Sequence, residues 1–265
     1  MSVRSYSGPY ADRRRGRSAF VRAVPWVLAA ITIGLEIAYP LVHDENRRLV
    51  IVATVVAFFL ASTSHALVWR GFAWTLGYLV VTVGGGLLVE VIGLNTGVPF
   101  GNYVYTGGLS SLVFGVPWVI PLAWAMFAYP CLVVGRRVSR NPAVVPIIAA
   151  LALASWDLFL DPMMVAEGYW KFSDIGRVLP HVTNVPALNF VGWFITSLVM
   201  MAVLDRLPRR IVPDGQPGVL FLWTFFSSVL GNAMFFNRGW VAFYGGVVMG
   251  LVAVPYLWAL WVGRD

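Results

Sequence analysis

Charged residues are scarce in this chain, because only 12% of its 265 residues are Asp, Glu, Lys or Arg while 59% are hydrophobic. A soluble domain usually carries about 25% charged residues. The shortage excludes an ordinary soluble domain and indicates an integral membrane protein. Its apolar runs are continuous and about 20 residues long, which is the length of a membrane-spanning helix and not of a barrel strand.

Cysteine and histidine are also almost absent. The single cysteine, Cys131, excludes a disulfide within the chain and a cysteine-ligated metal cluster. The three histidines are far apart in sequence and form no pair at i and i+4, which disfavours a histidine-ligated di-iron hydroxylase. They are His43, His65 and His181. The sequence therefore predicts no metal and no cofactor.

Eight apolar runs predict an all-α bundle of eight transmembrane helices, forming one domain over residues 23–265. The runs lie near residues 24–42, 49–69, 72–94, 113–134, 143–161, 186–204, 219–236 and 240–262. Residues 1–22 are polar and rich in arginine, and they are predicted to be a disordered cytoplasmic tail.

The distribution of basic residues predicts the orientation of the bundle. With the N-terminus inside, 14 of the 19 Lys and Arg residues fall on the inner side and 5 fall outside. The positive-inside rule then places both termini in the cytoplasm of a multi-pass protein of the cell membrane. The same rule explains the net charge of +7 better than nucleic-acid binding does.

Four carboxylic acids fall late in outward-running helices, at a similar depth in the outer half of the membrane. They are Glu36, Glu90, Asp157 and Asp161. A charge at the membrane centre costs about 2.5–3.5 kcal/mol on insertion scales, so such residues usually have a function. Asp157 and Asp161 share one helical face, one turn apart. Pro162 follows them and predicts the end of the helix.

These acids have a structural and a chemical interpretation. Structurally, they could pair with arginines of the loops or cap neighbouring helices. Chemically, burial disfavours the charged form of a carboxyl group, and a second carboxyl one turn away disfavours it further. A neutral carboxylic acid can donate a proton, as acid catalysis requires. Asn189 could hold a water molecule, and nearby aromatic rings could stabilise a cation or simply pack. Those rings are Trp156, Trp170, Trp193, Phe100, Tyr103 and Tyr105.

Several stretches of the chain together resemble one known family. They are Glu90-x-x-Gly93-x-x-Thr96-Gly97-x-Pro99-Phe100-Gly101-x-Tyr103-x-Tyr105, Pro121-Leu-Ala-Trp124, Trp156-Asp157-Leu-Phe-Leu-Asp161-Pro162-Met163 and Pro186-Ala-Leu-Asn189-Phe190-Val-Gly192-Trp193-Phe194. Their combination and order are similar to the signature of CruF-type carotenoid hydratases, the bisanhydrobacterioruberin hydratase-like membrane proteins. The chain departs from that pattern at Phe172, where a tryptophan is expected, and at Asn184, where a glycine is expected. These departures concern the exact substrate more than the reaction.

The resemblance implies addition of water to the terminal double bond of an acyclic carotenoid, through a tertiary carbocation that water captures. We expect Asp157 or Asp161 to donate the proton, and Glu90, helped by Asn189, to orient or deprotonate the water. The remaining candidates for binding substrate or water are Glu36, Trp156, Trp193, Phe100, Tyr103 and Tyr105. The expected partners are the carotenoid, membrane lipid and other enzymes of carotenoid biosynthesis, with no nucleic acid.

Three other functions remain open from the sequence. Asp157 and Asp161 could hold Mg²⁺ and a diphosphate in an intramembrane prenyltransferase, although such enzymes normally carry a second Asp-rich motif. The acids could relay protons or bind a cation in a transporter, but no repeated halves are evident in the sequence. A scaffold for carotenoid enzymes would need none of this chemistry.

Overall fold

The computed structural model describes residues 18–263, and within them eight helices are long and apolar enough to cross a membrane. These helices are α1 Ala19–Ala38, α2 Asp44–Arg70, α3 Phe72–Thr96, α4 Val119–Val138, α5 Val145–Ala166, α6 Ala187–Arg206, α7 Gly215–Leu230 and α8 Gly239–Trp261. A 3₁₀ turn extends α1, a π-helical turn extends α7, and a second π-helical turn lies within α3. The predicted all-α, multi-pass fold is confirmed.

Some of the predicted boundaries differ from those of the structure. Helix α1 begins at Ala19, so residues 19–22 belong to the helix, while residues 1–17 of the predicted tail lie outside the described residues. Helix α4 begins at Val119 and not at residue 113, because residues 112–117 form a β-hairpin. Its two turn residues, Phe114 and Gly115, both have positive φ, as a tight hairpin requires.

The predicted end of α5 at Pro162 was wrong, because the helix passes through this proline and continues to Ala166. Proline lacks an N–H and removes one backbone hydrogen bond from a helix. In a transmembrane bundle neighbouring groups compensate for that loss, so proline within a helix is tolerated there. The extra turn carries the chain to Glu167, which forms an ion pair with Arg47 at the start of α2, 2.9 Å apart.

Helices α4 and α5 form the centre of the bundle. In the apolar 18-residue stretch of each helix, 83% is buried inside the protein in α4 and 67% in α5. In the other six helices 39% or less is buried. Both central helices are rich in alanine, and Gly135 of α4 lies against Ala149 of α5 so closely that a Cβ at Gly135 would be 3.0 Å from the Ala149 Cβ. Small residues allow such close helix packing, which is the main source of helix association in lipid.

The two longest loops are joined to each other at one end of the bundle. Strand β1 (Tyr103–Tyr105) pairs antiparallel with β4 (Trp170–Phe172). Side chains alternate along a strand, so the central pair, Val104 and Lys171, is exposed while the four aromatic residues point towards the helices. The ribbon β1–β4 therefore presents only aromatic side chains to the interior.

The chain builds the segments that lead into α4 and α6 in the same way. A hairpin precedes each helix: β2 (Leu112–Val113) with β3 (Val116–Pro117) before α4, and β5 (Val178–Leu179) with β6 (Val182–Pro186) before α6. Each hairpin ends in Val-Pro, and a tryptophan follows seven residues after that proline, Trp124 in α4 and Trp193 in α6. No repeated halves were evident from the sequence. The segments α3–α4 and α5–α6 nevertheless share this arrangement of a hairpin, a Val-Pro pair and a tryptophan.

Gly245 of α8 tests the close packing of the bundle. A Cβ at this position would overlap the Phe159 ring of α5, and overpacking of this kind costs about 1–3 kcal/mol. We expect Gly245→Ala to lower the midpoint of thermal unfolding in detergent. The matched control is Gly250→Ala in the same helix, where the new Cβ would meet only Phe225 at 3.9 Å. Equal stability of the two variants would contradict this packing.

Candidate active site

Glu90 lies on a buried stripe of α3 that consists of Gly86, Glu90 and Gly93. These positions are spaced i, i+4 and i+7 and therefore share one helical face. The glycines leave space on either side of the acid. A Cβ at Gly86 would be 3.0 Å from the Trp124 ring, and one at Gly93 would be 2.9 Å from the Tyr103 hydroxyl. The stripe thus brings two aromatic donors to Glu90.

The Glu90 carboxylate accepts three hydrogen bonds. Tyr103 and Tyr105 of β1 donate to its Oε2 atom over 2.6 and 2.8 Å, and the Trp124 indole N–H donates to Oε1 over 3.0 Å. Burial, reinforced by the nearby Glu90 carboxylate, raises the pKa of both tyrosine hydroxyls well above the ordinary value. Both therefore stay protonated and act as donors. An acceptor with this many donors is suited to carry negative charge.

Asp157 and Asp161 face Glu90 from α5 and are joined by one amide. The Asn189 Nδ2 atom of α6 donates to Asp157 Oδ2 over 2.8 Å and also to Asp161 Oδ2. The Asp157 Oδ1 atom has no hydrogen-bond partner among the described residues. Two carboxylates that share one donor in a buried site repel each other, so a proton on one of them is favoured. All three α5 and α6 groups are at least 96% buried.

A small cavity of about 30 Å³ separates Glu90 from Asp161. A water molecule needs only about 10–15 Å³ of such space, so the cavity has room for water beside both acids. Asp161 contributes to its wall, whereas Asp157, one helical turn earlier in α5, does not. Aromatic rings form most of the remaining wall, and two of them, Trp124 and Trp193, stack with centroids 3.9 Å apart.

A second, apolar cavity of about 390 Å³ adjoins the small one. The two share wall residues from α4, α5 and β4, among them Ile120, Leu160 and Trp170. The large cavity is within the 300–1,000 Å³ range of small-molecule sites. Its far wall carries Glu36, which accepts a hydrogen bond from Ser227 over 3.4 Å. Three buried polar atoms on that wall have no hydrogen-bond partner among the described residues: Tyr39 Oη, Trp223 Nε1 and Asn232 Oδ1.

The structure brings nearly all of the predicted site residues together. The residues around the small cavity or bonded to its acids are Glu90, Asp157, Asp161, Asn189, Phe100, Tyr103, Tyr105 and Trp193. Trp156 lines the large cavity beside them and packs on Trp193 at 6.3 Å, whereas Glu36 lies apart on the far wall.

Sequence reasoning missed Trp124 as a member of the site. It named Trp193 but not the tryptophan that stacks on it and binds Glu90. The repeated Val-Pro pair with a tryptophan seven residues later, at Trp124 and Trp193, is the signal in the sequence that relates the two.

The chain is similar to known proteins of carotenoid biosynthesis. Residues 47–261 match the family model described as "Carotenoid biosynthesis protein". The chain is 27% identical over 194 residues to the bisanhydrobacterioruberin hydratase of Haloarcula japonica, a match that covers 66% of this chain and 59% of that protein. No solved structure matches the chain significantly.

The family match includes the whole lining of the small cavity and three of the four predicted membrane acids, and it leaves out Glu36. It also leaves out Ile37, Tyr39 and Pro40 in the wall of the large cavity. It also includes all of the stretches on which the resemblance to carotenoid hydratases rests. The chain therefore belongs to the carotenoid biosynthesis protein family.

Proposed function

We propose that this chain is a hydratase that adds water to the terminal carbon–carbon double bond of an acyclic carotenoid. The observation that carries the proposal is the arrangement of carboxyl groups. Asp157 and Asp161 accept hydrogen bonds from the same Asn189 amide, and Asp161 shares a cavity of about 30 Å³ with Glu90, which accepts hydrogen bonds from several donors. The name of the Haloarcula japonica relative supports the same reaction. The match spans 59% of the length of that relative. We therefore propose, on the basis of the site and the match together, that the two proteins share the reaction.

Asp161 is the proton donor in this mechanism. It lies on the cavity wall, whereas Asp157 does not line the cavity and shares the Asn189 amide with Asp161. The electron pair of the alkene takes the proton from the Asp161 carboxyl at the less substituted carbon. A C–H bond forms, the O–H bond breaks, and positive charge develops on the tertiary carbon. Asp157 stabilises the protonated form of its neighbour, because two adjacent buried carboxylates repel each other.

The aromatic wall suits a short-lived carbocation. Ring faces attract cations through their quadrupole, and the stacked pair Trp124–Trp193 together with Phe100 surrounds the cavity beside Asp161. These rings offer no nucleophile that would trap the cation before water does. The negative charge of Glu90, held by its three donors, adds electrostatic stabilisation from the opposite side.

Water completes the addition. A water molecule in the small cavity attacks the tertiary carbon, forms the C–O bond and loses a proton. Glu90 orients this water and takes up its proton, which then returns to Asp161 across the cavity. The sum is one water consumed for each double bond, so electrons balance without an oxidant or reductant. The product is a tertiary alcohol.

The large apolar cavity is the binding site for the chain end of the carotenoid. It is lined mainly by apolar side chains from α1, α2, α4, α5 and α7, and it shares Ile120 and Leu160 with the wall of the small cavity. A polyene dissolved in the bilayer reaches such a site from the lipid phase. We place the protein in the cell membrane, with both termini in the cytoplasm, on the basis of its basic residues.

Pigment analysis tests the reaction class. Expressed in cells that accumulate lycopene, the full chain should yield a more polar pigment, heavier by one or two water molecules. The visible spectrum should stay unchanged, because hydration of an isolated terminal alkene leaves the conjugated chain intact. Chromatography with mass spectrometry measures both. A product heavier by an isoprenoid unit would instead identify a prenyltransferase.

Removal of the proton donor tests the assignment of roles. Asp161→Asn should reduce the initial rate of hydration in isolated membranes by about 10²–10⁴-fold, the usual contribution of a general acid. The matched control is Asp174→Asn, an exposed carboxyl group in the β4–β5 loop that binds Asn102, and it should retain the wild-type rate. Equal activity of the two variants at equal expression would refute the role of Asp161.

A further inference from the structure

A second polar site lies at the opposite end of the bundle, where α2 ends and α3 begins. It is a cavity of about 260 Å³ lined by Arg70, Gly71, Phe72, Ala73, Trp74, Pro208 and Arg210. Because α3 crosses the bundle between this cavity and Glu90, the two sites are separated by most of the length of that helix. The proposed hydration therefore makes no use of this cavity.

The polar side-chain groups of this cavity are hydrogen-bond donors. Arg70 is only 2% exposed, and its Nε atom has no partner among the described residues. The same holds for the indole Nε1 of Trp74, which is 5% exposed. The Arg70 guanidinium lies 4.4 Å over the Trp74 ring, and the Arg210 guanidinium holds the Arg70 carbonyl over 2.7 Å. The side chains of Arg70, Trp74 and Arg210 thus line one cavity.

The backbone adds further donors. Gly71 is the N-cap of α3, with φ of 91°, and it has no side chain to cap the helix. The first N–H groups of α3 face the N-terminal end, where a helix favours anions. Among residues 18–263, the ion pairs on this side join Asp205 to Arg136 and Arg209 and Asp214 to Arg137. None of the acids in these pairs reaches Arg70 or Arg210.

We propose that this cavity binds a phosphate group. A phosphate offers several acceptor oxygens, which match the guanidinium donors and the helix N-terminus better than a single carboxylate does. The group can come from the headgroup of an anionic phospholipid or from a soluble phosphate. The exposed apolar residues Phe72 and Leu76 continue from the cavity along the lipid-facing side of α3, and basic pockets between helices are typical sites for such headgroups.

The test uses the purified full chain and native mass spectrometry. The probe is phosphatidic acid, and diacylglycerol with the same acyl chains is the matched ligand without phosphate. The wild type should retain phosphatidic acid and not diacylglycerol. Arg210→Gln should weaken this binding about tenfold, the effect of one charge-assisted hydrogen bond. Arg206→Gln, which removes an equal charge from an exposed position outside the cavity, should leave it unchanged.

Two additional arms make the test decisive. Trp74→Phe removes the indole N–H together with the five-membered ring, keeps a phenyl ring and the net charge, and should also weaken binding. Competition by millimolar inorganic phosphate would assign the site to a soluble phosphate, and failure to compete would assign it to the lipid. Equal binding of phosphatidic acid and diacylglycerol, or equal losses in Arg210→Gln and Arg206→Gln, would overturn the proposal.

Discussion

A carboxylate buried in a transmembrane bundle must be matched with hydrogen-bond donors, and Glu90 is matched with three. The rest of the site depends on this requirement. Two donors come from the ribbon β1–β4, so the loops between helices are tied to the acid they cover. The third comes from Trp124 in the central helix α4, so the acid also connects the ribbon to the bundle core. Gly86 and Gly93 lie beside Glu90 on the same helical face, and their lack of a side chain leaves space for Trp124 and Tyr103.

The site has two halves of similar construction and different chemistry. One half consists of α3, β1 and α4, and the other of α5, β4 and α6. In each half the first helix carries an acid near its end, the strand has two inward aromatic residues, and the second helix contributes a tryptophan. Glu90 stands thirteen residues before Tyr103, and Asp157 stands thirteen residues before Trp170. One half surrounds its acid with hydroxyl and indole donors, which suits negative charge. The other places two carboxyl groups side by side, which suits a shared proton. In the proposed mechanism, these two halves are the base and the acid.

The helices and most of the site residues could be predicted because lipid makes simple demands on a sequence. Apolar runs of sufficient length must be helices, and acids such as Asp157 inside them are costly, which marks them as candidate functional residues. The end of α5 could not be predicted from Pro162, because whether a helix continues through proline depends on groups from neighbouring helices. The role of Trp124 in α4 as a partner of Glu90 was not predicted either, although this residue stands in one of the stretches that resemble the family. It lies 34 residues away in sequence, and only the packing of α3 on α4 brings the two together.

We propose that the alkene carbon is protonated before water adds. Hydration in isolated membranes suspended in D₂O tests this most directly. The product of an acyclic carotenoid should carry one non-exchangeable deuterium, bound to carbon, for each hydroxyl group gained, as measured by mass spectrometry after exchange into ordinary water. A hydroxylated product without carbon-bound deuterium would contradict the account, because the oxygen would then have been inserted without protonation of the alkene.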